Sequence, residues 1–286
     1  MAVVDMLPDY AKRLVPADYD RSTVAGRKDQ LTGALSKAGI EIVSSFEAGS
    51  FSHGTAVKDR SDVDLMIWVK IVQQPLLPSS ALSTFKLALS TLGVRLLSIS
   101  SPTVRVEFWT PPHFELVPSF YSSTVSDVSV YEIPGRRDEW VLSAPRAHNL
   151  LVNQQNERLY MKLKPLVRLL KAWKYYVQAP LSSFYLEMRA TEYALGESVI
   201  LYYIDLPRVL RRIVGGDVAD MNDPAGITGR IPACSSDEKR RTTKLWMQSA
   251  IMNLDAAEAQ RQAGDRSGYW TNMAAVFGND FPYPSG

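Results

Sequence analysis

The chain has little cysteine, little histidine and almost no excess of either charge. Its 286 residues include one cysteine, Cys234, three histidines and a formal net charge of +2. A single cysteine excludes a disulfide within the chain and any zinc site built from several cysteines, and it fits a reducing compartment. Because basic residues are hardly in excess, we expect no long nucleic-acid partner and no nucleic-acid template.

Long hydrophobic runs and targeting signals are also missing. The longest apolar stretches, Leu87–Ile99 and Ser198–Leu210, are too short or too polar to span a bilayer. The N-terminus, MAVVDMLPDY, has no basic segment followed by an apolar one. These features predict a cytoplasmic protein with no membrane partner. The hydrophobic fraction of 46% is ordinary for a globular protein with a sizeable core.

The most informative stretch is Gly49–Val69, GSFSHGTAVKDRSDVDLMIWV. Asp62 and Asp64 are two residues apart, so in an extended strand both carboxylates lie on one face. The apolar run Leu65–Val69 predicts a strand that is covered on both faces. Two carboxylates there repel each other and lose hydration, and a divalent cation relieves both costs. The pair therefore predicts a site for Mg²⁺, which prefers oxygen ligands.

Gly49 and Ser50 lie just upstream of this acidic pair. A Gly-Ser turn offers bare backbone N–H groups and a hydroxyl, so a phosphate can approach closely, especially where a helix begins. An anion seat followed by metal-binding acids suggests phosphoryl or nucleotidyl transfer.

A two-metal transferase needs a further carboxylate near the acceptor hydroxyl. The segments 103–109, TVRVEFW, and 113–120, HFELVPSF, are predicted as neighbouring strands. They carry Glu107 and Glu115, and the strand pattern alone leaves both acids as candidates.

Residues 147–178 are long and helical in period, with an apolar stripe and a separate cationic stripe. The cationic stripe is either a solvated helix face or a surface that binds an anion; its members are Lys164, Arg168, Lys171 and Lys174. The next segment, Leu181–Met188, predicts a helix with Ser182 or Ser183 as its N-cap.

Two motifs carry a resemblance to a known family. The pattern G-S-x-x-x-G-T followed by S-D-V-D-L resembles the signature of the polymerase-β-like nucleotidyltransferase superfamily. K-A-W-K followed by S-S-F-Y-L-E is similar to the C-terminal lobe of the cyclic-GMP-AMP-synthase/DncV-like nucleotidyltransferases, the CD-NTases, and of their oligoadenylate synthase relatives. The resemblance spans residues 46–187, with the motifs in the expected order.

The resemblance implies a bilobed α+β fold. A nucleotidyltransferase core lobe with a mixed sheet would occupy residues 1–145, and a helical lobe that completes the cleft would occupy residues 146–286. Asp62, Asp64 and a third acid would hold two Mg²⁺ ions, for which Mn²⁺ could substitute. Glu115 is the preferred third acid, because E-L-V-P-S-F is similar to the family's x-D-x-V-P-A-F, although Glu here replaces the usual Asp.

The resemblance also implies the residues that bind nucleotide. Gly49, Ser50, Lys171 and Ser183 would bind the donor triphosphate, with Lys174 as a second candidate lysine. Phe184 would stack on a base, and such stacking tolerates any base.

The function implied is condensation of nucleoside triphosphates into a cyclic di- or oligonucleotide, with release of pyrophosphate. The layout looks most like clade E of the bacterial CD-NTases, which is associated with pyrimidine-containing products, hence ATP and UTP as substrates, and with anti-phage signalling. A monomer is expected, with a separate effector protein that binds the product. An Asn over the base would favour uracil, and Asn149, Asn153 and Asn156 are the candidates. His53, in the signature loop, is expected near the phosphates.

Two other functions fit parts of the pattern. A nucleotidyltransferase that modifies RNA, protein or a small molecule shares the Gly-Ser and Asp-x-Asp core, but an RNA-modifying one should show a broad basic face. The replacement of Asp by Glu115 could instead mark a catalytically degenerate nucleotide-binding protein.

Overall fold

The computed structural model describes residues 2–16, 21–135 and 137–284. The sequence also predicts a helix over residues 20–39; Asp20 lies outside the described residues, and the helix is described from Arg21 to Lys37. The described helices are α1 (Leu7–Arg13), α2 (Arg21–Lys37), α3 (Gly49–His53), α4 (Pro78–Leu89), α5 (Pro145–Arg158), α6 (Leu163–Tyr176), α7 (Ser183–Ala194), α8 (Tyr202–Gly215), α9 (Asp237–Ala263) and α10 (Arg266–Phe277). The strands are β1 (Ile42–Ala48), β2 (Val63–Val69), β3 (Leu96–Ser100), β4 (Thr103–Glu107), β5 (Phe114–Val125), β6 (Val128–Pro134), β7 (Trp140–Ser143), β8 (Met221–Asn222) and β9 (Arg230–Ile231).

The strands β1 to β7 form one mixed sheet, as the predicted α+β fold requires. The order of its main strands is β1-β2-β5-β4-β3. The C-terminal half of β5 also pairs with β6, and β6 pairs with β7. β2 and β5 are parallel and pair from their first residues, Val63 with Phe114. The acids near the start of each strand are therefore brought to the same edge of the sheet.

One face of the sheet is covered by α2 and α4. Their apolar side chains pack against alternate residues of β2, β4 and β5, and all of these are nearly inaccessible to solvent; they include Leu31, Leu35, Phe85, Leu65, Ile67, Val106 and Leu116. This packing fixes the central strand, because burial of a Leu or Phe side chain contributes roughly 1.5–3 kcal/mol.

A second, larger core lies among α1 and α5–α10. Trp173 and Leu170 of α6 and Tyr185 of α7 are almost fully buried in it. Tyr10 of α1 contacts the rings of Phe277 and Phe281, so α1 packs with the helices that follow the sheet in sequence. The boundary between the two lobes, predicted at 145/146, stays a prediction. In the structure α1, which precedes this boundary, packs with the helices that follow it. No helix within the described ranges is long and apolar enough to cross a bilayer.

The periodic segment predicted over residues 147–178 is two helices, α5 and α6. The break contains Tyr160 and Met161, both with positive φ. The buried side chain of Asn156 spans it: its Oδ1 accepts the backbone N–H of Lys164 at 3.0 Å. An apolar period of 3.6 continues across such a turn, which is why the pattern alone did not reveal it.

The loop 223–228, between β8 and β9, is organised by one carboxylate. Asp223 accepts the backbone N–H groups of Ala225, Ile227 and Thr228 at 2.8–3.1 Å, and its Oδ1 lies 3.0 Å from His148 Nε2. Burial opposes ionisation, but the hydrogen bond and charge of His148, with the backbone N–H groups, hold the pKa of Asp223 well below its usual value.

The Asp223→Asn variant should therefore lower the free energy of unfolding by about 2–4 kcal/mol, because the new amide N–H₂ faces N–H donors and cannot accept from them. Urea unfolding followed by circular dichroism measures this change. The matched control is Asp217→Asn, since Asp217 is exposed and pairs with Lys244 at 2.6 Å; it should leave the free energy of unfolding close to that of the wild type. Equal effects of the two variants would contradict the role given to Asp223.

Candidate active site

A cavity of about 370 Å³ opens between the sheet edge and the helices α6 and α7. All eight residues predicted for catalysis and nucleotide binding line it: Gly49, Ser50, Asp62, Asp64, Glu115, Lys171, Ser183 and Phe184. Lys174, the second candidate lysine, lines it too. Residues more than 130 positions apart in sequence thus meet in one cleft.

The acids are positioned by the register of the sheet. Asp64 on β2 is directly opposite Glu115 on β5, and Asp62 precedes β2 by one residue. Adjacent strands lie about 4.8 Å apart, so Asp64 and Glu115 are neighbours on parallel strands. Glu107 does not line this cavity: it is buried and pairs with Arg95 and, at 3.0 Å, with Arg105.

Repulsion and burial make the cluster costly when all its acids are ionised. Burial first, and then the charge of Glu115, raise the pKa of Asp64 to about 7, although Lys171 and the Ser50 N–H oppose the rise. Burial and the charge of Asp62 likewise raise the pKa of Glu115. Arg105 relieves part of the repulsion, with its Nε 3.2 Å from Asp62 Oδ2.

The donor set fits a hard divalent cation. Three carboxylates converge on one cavity, two of them with raised pKa values, and oxygen is the ligand that Mg²⁺ prefers. In residues 2–16, 21–135 and 137–284, no group of three acidic, histidine or cysteine side chains is placed so that it could hold a metal ion as it stands. Asp62, one of the candidate ligands, is paired with Arg105.

Gly49 is at the point of closest approach between the turn and the acids. It begins α3 with φ +59°, and an added Cβ would lie 2.0 Å from Asp64 Oδ2. The Ser50 N–H donates to the Asp64 carboxylate. The turn and Asp64 are therefore in direct contact, which only a glycine at this position permits.

Lys171 is buried, so at this position the cationic stripe of α6 is not a solvated helix face. It is 1% exposed, and its Nζ donates to Glu187 Oε2 at 2.5 Å and to Thr55 Oγ1 at 3.0 Å. Arg168, on the same stripe, donates to the carbonyl of Gly54 at 2.7 Å. This face of α6 is turned toward the loop after α3.

Ser183 and Phe184 lie at the first turn of α7. Ser182 is the N-cap and accepts from the Tyr185 N–H, which leaves the Ser183 hydroxyl to accept from Lys174 Nζ at 2.8 Å. The Phe184 ring contacts His148 edge to face at 5.0 Å between centroids. The sequence allowed either serine as the N-cap of α7, and the hydrogen bond from the Tyr185 N–H identifies Ser182.

The three asparagines considered for base recognition do not line the cavity. Asn149 donates to Ser52, Asn153 donates to Asn149, and Asn156 is buried under the break between α5 and α6. His53, which was expected near the phosphates, does not line the cavity: it is buried, with its Nδ1 2.7 Å from Glu187 Oε1.

Several lining residues were missed in the sequence, namely Arg60, Ser61, Arg105, Tyr175 and Glu187. Two of them had a usable signal. Arg105 shares a face of a strand with Glu107 and pairs in register with Glu115. Glu187 follows Ser183 by four residues in the S-S-F-Y-L-E motif, so both lie on one side of α7.

Comparisons with known proteins agree with this fold. Residues 1–156 match the Second Messenger Oligonucleotide or Dinucleotide Synthetase domain. The chain is similar to the Escherichia coli MS115-1 CdnC structure with ATP (TM-score 0.73, 16% identity, 97% of this chain and 98% of that one). It is also similar to Bradyrhizobium diazoefficiens CD-NTase CdnG in complex with GTP (0.74, 14%, 96% and 94%). A third similar structure is the Elizabethkingia meningoseptica CdnE cyclic dinucleotide synthase with GTP and Apcpp (0.62, 17%, 85% and 95%). No curated protein sequence matches.

Replacing Gly49 with Ala should reduce nucleotidyl transfer by about 100-fold, because the new methyl group displaces the Asp64 carboxylate. Initial rates at saturating nucleotide measure this. Gly93→Ala is the matched control, since an added Cβ there has no heavy atom within 4 Å. Full activity of Gly49→Ala would contradict the proposed contact.

The acid cluster also predicts how stability depends on pH. The folded-state pKa of Asp64, about 7, lies above its ordinary 3.8, so between these values the folded protein holds a proton that the unfolded chain has released. The free energy of unfolding of the metal-free protein should therefore fall as the pH rises through this window. At pH 8, Asp64→Asn should be more stable than the wild type by about 1–3 kcal/mol.

Urea unfolding with a chelator at pH 5 and pH 8 measures this gain. Asp9→Asn, at an exposed site on α1, is the control and should leave the free energy of unfolding close to that of the wild type at either pH. An Asp64→Asn variant that is less stable than the wild type at pH 8 would show that the carboxylate is not repelled there.

Proposed function

The chain belongs to the Second Messenger Oligonucleotide or Dinucleotide Synthetase family and is a CD-NTase, a nucleotidyltransferase, and we propose that this cleft joins nucleoside triphosphates, without a template, into a cyclic di- or oligonucleotide. The observation that carries the proposal is the convergence of Asp62, Asp64 and Glu115 with Lys174 and Ser183 on one cavity. A triphosphate needs cations and hydroxyls at one end and carboxylate-bound metal at the other, and this cavity offers both.

The donor nucleotide lies across the cleft. Gly49 and Ser50 contact its phosphates from the sheet side, while Lys174 and Ser183 supply positive charge and a hydroxyl from the helical side, where Lys171 also lines the cavity. Lys174 and Ser183 already form a hydrogen-bonded pair, which orients both toward the same anion. Phe184 stacks on the base, and His148 supports its ring.

Asp62, Asp64 and Glu115 would hold two Mg²⁺ ions, or Mn²⁺ in their place, which supply positive charge to the attacking and leaving oxygens when bound. Glu115, on the strand next to Asp64, would ligate the ion nearer the acceptor hydroxyl. In the reaction a ribose hydroxyl of the acceptor bonds to the α-phosphorus of the donor, the bond to the β-phosphate breaks, and pyrophosphate leaves while the hydroxyl proton is lost to solvent. The last such step, between the two ends of the linear product, closes the ring.

The identity of the product follows the family resemblance. A clade E assignment would give a product that contains a pyrimidine, with ATP and UTP among the substrates. The enzyme acts as a cytoplasmic monomer, and its product binds a separate effector protein in anti-phage signalling. No nucleic-acid template is needed, which agrees with the net charge of +2.

The test is incubation of the purified protein with Mg²⁺ or Mn²⁺ and all four labelled nucleoside triphosphates. We expect a phosphatase-resistant product whose mass identifies the joined bases. The double variant Asp62→Asn/Asp64→Asn should give no product, and Glu115→Gln should lose about 100-fold or more in rate. Glu41→Gln, at an exposed ion pair with Lys70, is the control and should keep full activity.

Each contrary result has a distinct meaning. An active double variant would refute the metal-binding role of the two aspartates. Nucleotide binding without any product would favour the degenerate nucleotide-binding protein, and a labelled RNA, protein or small molecule would favour the other transferase class.

A further inference from the structure

At the floor of the cleft lies a buried polar cluster of four side chains: His53, Thr55, Lys171 and Glu187, each no more than 2% exposed. Glu187 is its centre. Its Oε2 accepts from Lys171 Nζ at 2.5 Å and from Thr55 Oγ1 at 2.9 Å, and its Oε1 lies 2.7 Å from His53 Nδ1. Burial alone would raise the pKa of Glu187, but the charges and hydrogen bonds of Lys171 and His53 hold it well below its usual value.

The cluster joins the two sides of the nucleotide cleft. His53 ends the short helix that begins with Gly49 and Ser50, and Thr55 follows it. The amide of Thr55 also donates to the Ser50 carbonyl at 2.8 Å, so Thr55 is tied to the turn itself. On the other side, Glu187 lies one helical turn after Ser183.

Lys171 has no N–H left over in this arrangement. Its three N–H groups face three acceptors, which are Glu187 Oε2, Thr55 Oγ1 and the Thr55 carbonyl at 3.3 Å. A buried ammonium depends on its counter-ion, because breaking a buried pair leaves an uncompensated charge. The position of Lys171 is therefore set by Glu187 and Thr55 before any nucleotide arrives.

We propose that Glu187 is a positioning residue, which acts through Lys171 and Thr55 to fix the spacing between the Gly49–Ser50 turn and Ser183. The inference rests on the proposed function, because it assigns Glu187 a role in the seat for a nucleoside triphosphate. Loss of the carboxylate frees the turn from α7 and leaves Lys171 without its partner. The distance between the Gly49–Ser50 turn and Ser183 is then no longer fixed. Nucleotide binding therefore weakens more than the chemical step slows.

The main test is the variant Glu187→Gln, which keeps the size of the side chain and removes its charge. We expect KM for the nucleoside triphosphates to rise about tenfold, with a smaller change in kcat, and the Kd of a non-hydrolysable nucleotide to rise equally. Hydrogen exchange should also become faster at the amides of residues 50–55. Glu192→Gln is the matched control on the same helix, since Glu192 pairs with Arg189 outside the cavity.

A second variant, Thr55→Val, tests the link from the other side and leaves the Lys171–Glu187 ion pair in place. It should raise KM and Kd in the same direction as Glu187→Gln. Because both variants break one connection, the double variant should be no worse than the more damaging single one. Thr55→Val keeps the proposal testable if Glu187→Gln does not fold.

The outcomes separate this inference from the proposed function. If Glu187→Gln or Thr55→Val folds and binds nucleotide as the wild type does, or more tightly, Glu187 does not position the seat and the inference is overturned. Additive effects of the two variants would overturn it as well. A wild-type protein that neither binds nor joins nucleotides would instead refute the proposed function.

Discussion

The meeting of three carboxyl groups, Asp62, Asp64 and Glu115, at one edge of the sheet is the constraint on which this cleft depends. Asp64 and Glu115 lie opposite each other on parallel strands. Burial and the charge of Glu115 raise the pKa of Asp64, and burial and the charge of Asp62 raise the pKa of Glu115. Parallel pairing of β2 with β5 makes the encounter unavoidable, and the apolar packing of α2 and α4 on the other side of the sheet prevents the strands from separating. A folded chain tolerates such an unfavourable arrangement when a ligand compensates it, and a divalent cation is the ligand that three carboxylates suit.

The cationic side of the cleft is organised in the opposite way. Lys171 is compensated inside the protein by Glu187, whereas Lys174 contacts the hydroxyl of Ser183 at the cavity. Lys171 thus pairs with a carboxylate inside the protein, whereas Lys174, three residues later, lines the cavity beside Ser183. The family resemblance gave both lysines a similar role, and their burial distinguishes them.

Much of the site could be predicted because its signals are local. The two-residue spacing of Asp62 and Asp64, the Gly-Ser turn and the alternation in residues 103–109 each follow from the period of a strand or the conformation of a turn. The family motifs added Glu115, Lys171, Ser183 and Phe184, and all of these line the cavity. Their catalytic and binding roles stay predictions, since geometry brings groups together without measuring what they do.

The features that sequence reasoning missed depend on distant contacts. Nothing near Glu187 in sequence shows that His53, 134 residues away, is its partner. Nor does the pattern of residues 2–16 show that α1 packs against α6 and α10, because an amphipathic helix fits either core. The break between α5 and α6 was not predicted for a related reason. The buried Asn156 side chain accepts the backbone N–H of Lys164 at the start of α6, and the sequence does not show this contact.

The most direct test of the central claim is a count of bound metal ions. Titration of Mn²⁺ into the protein with a non-hydrolysable nucleoside triphosphate, followed by calorimetry or electron paramagnetic resonance, gives the number of ions and their affinity. The account predicts two ions for the wild type and a loss of metal binding in Asp64→Asn. Unchanged metal binding in that variant, or tight nucleotide binding that needs no metal at all, would contradict it.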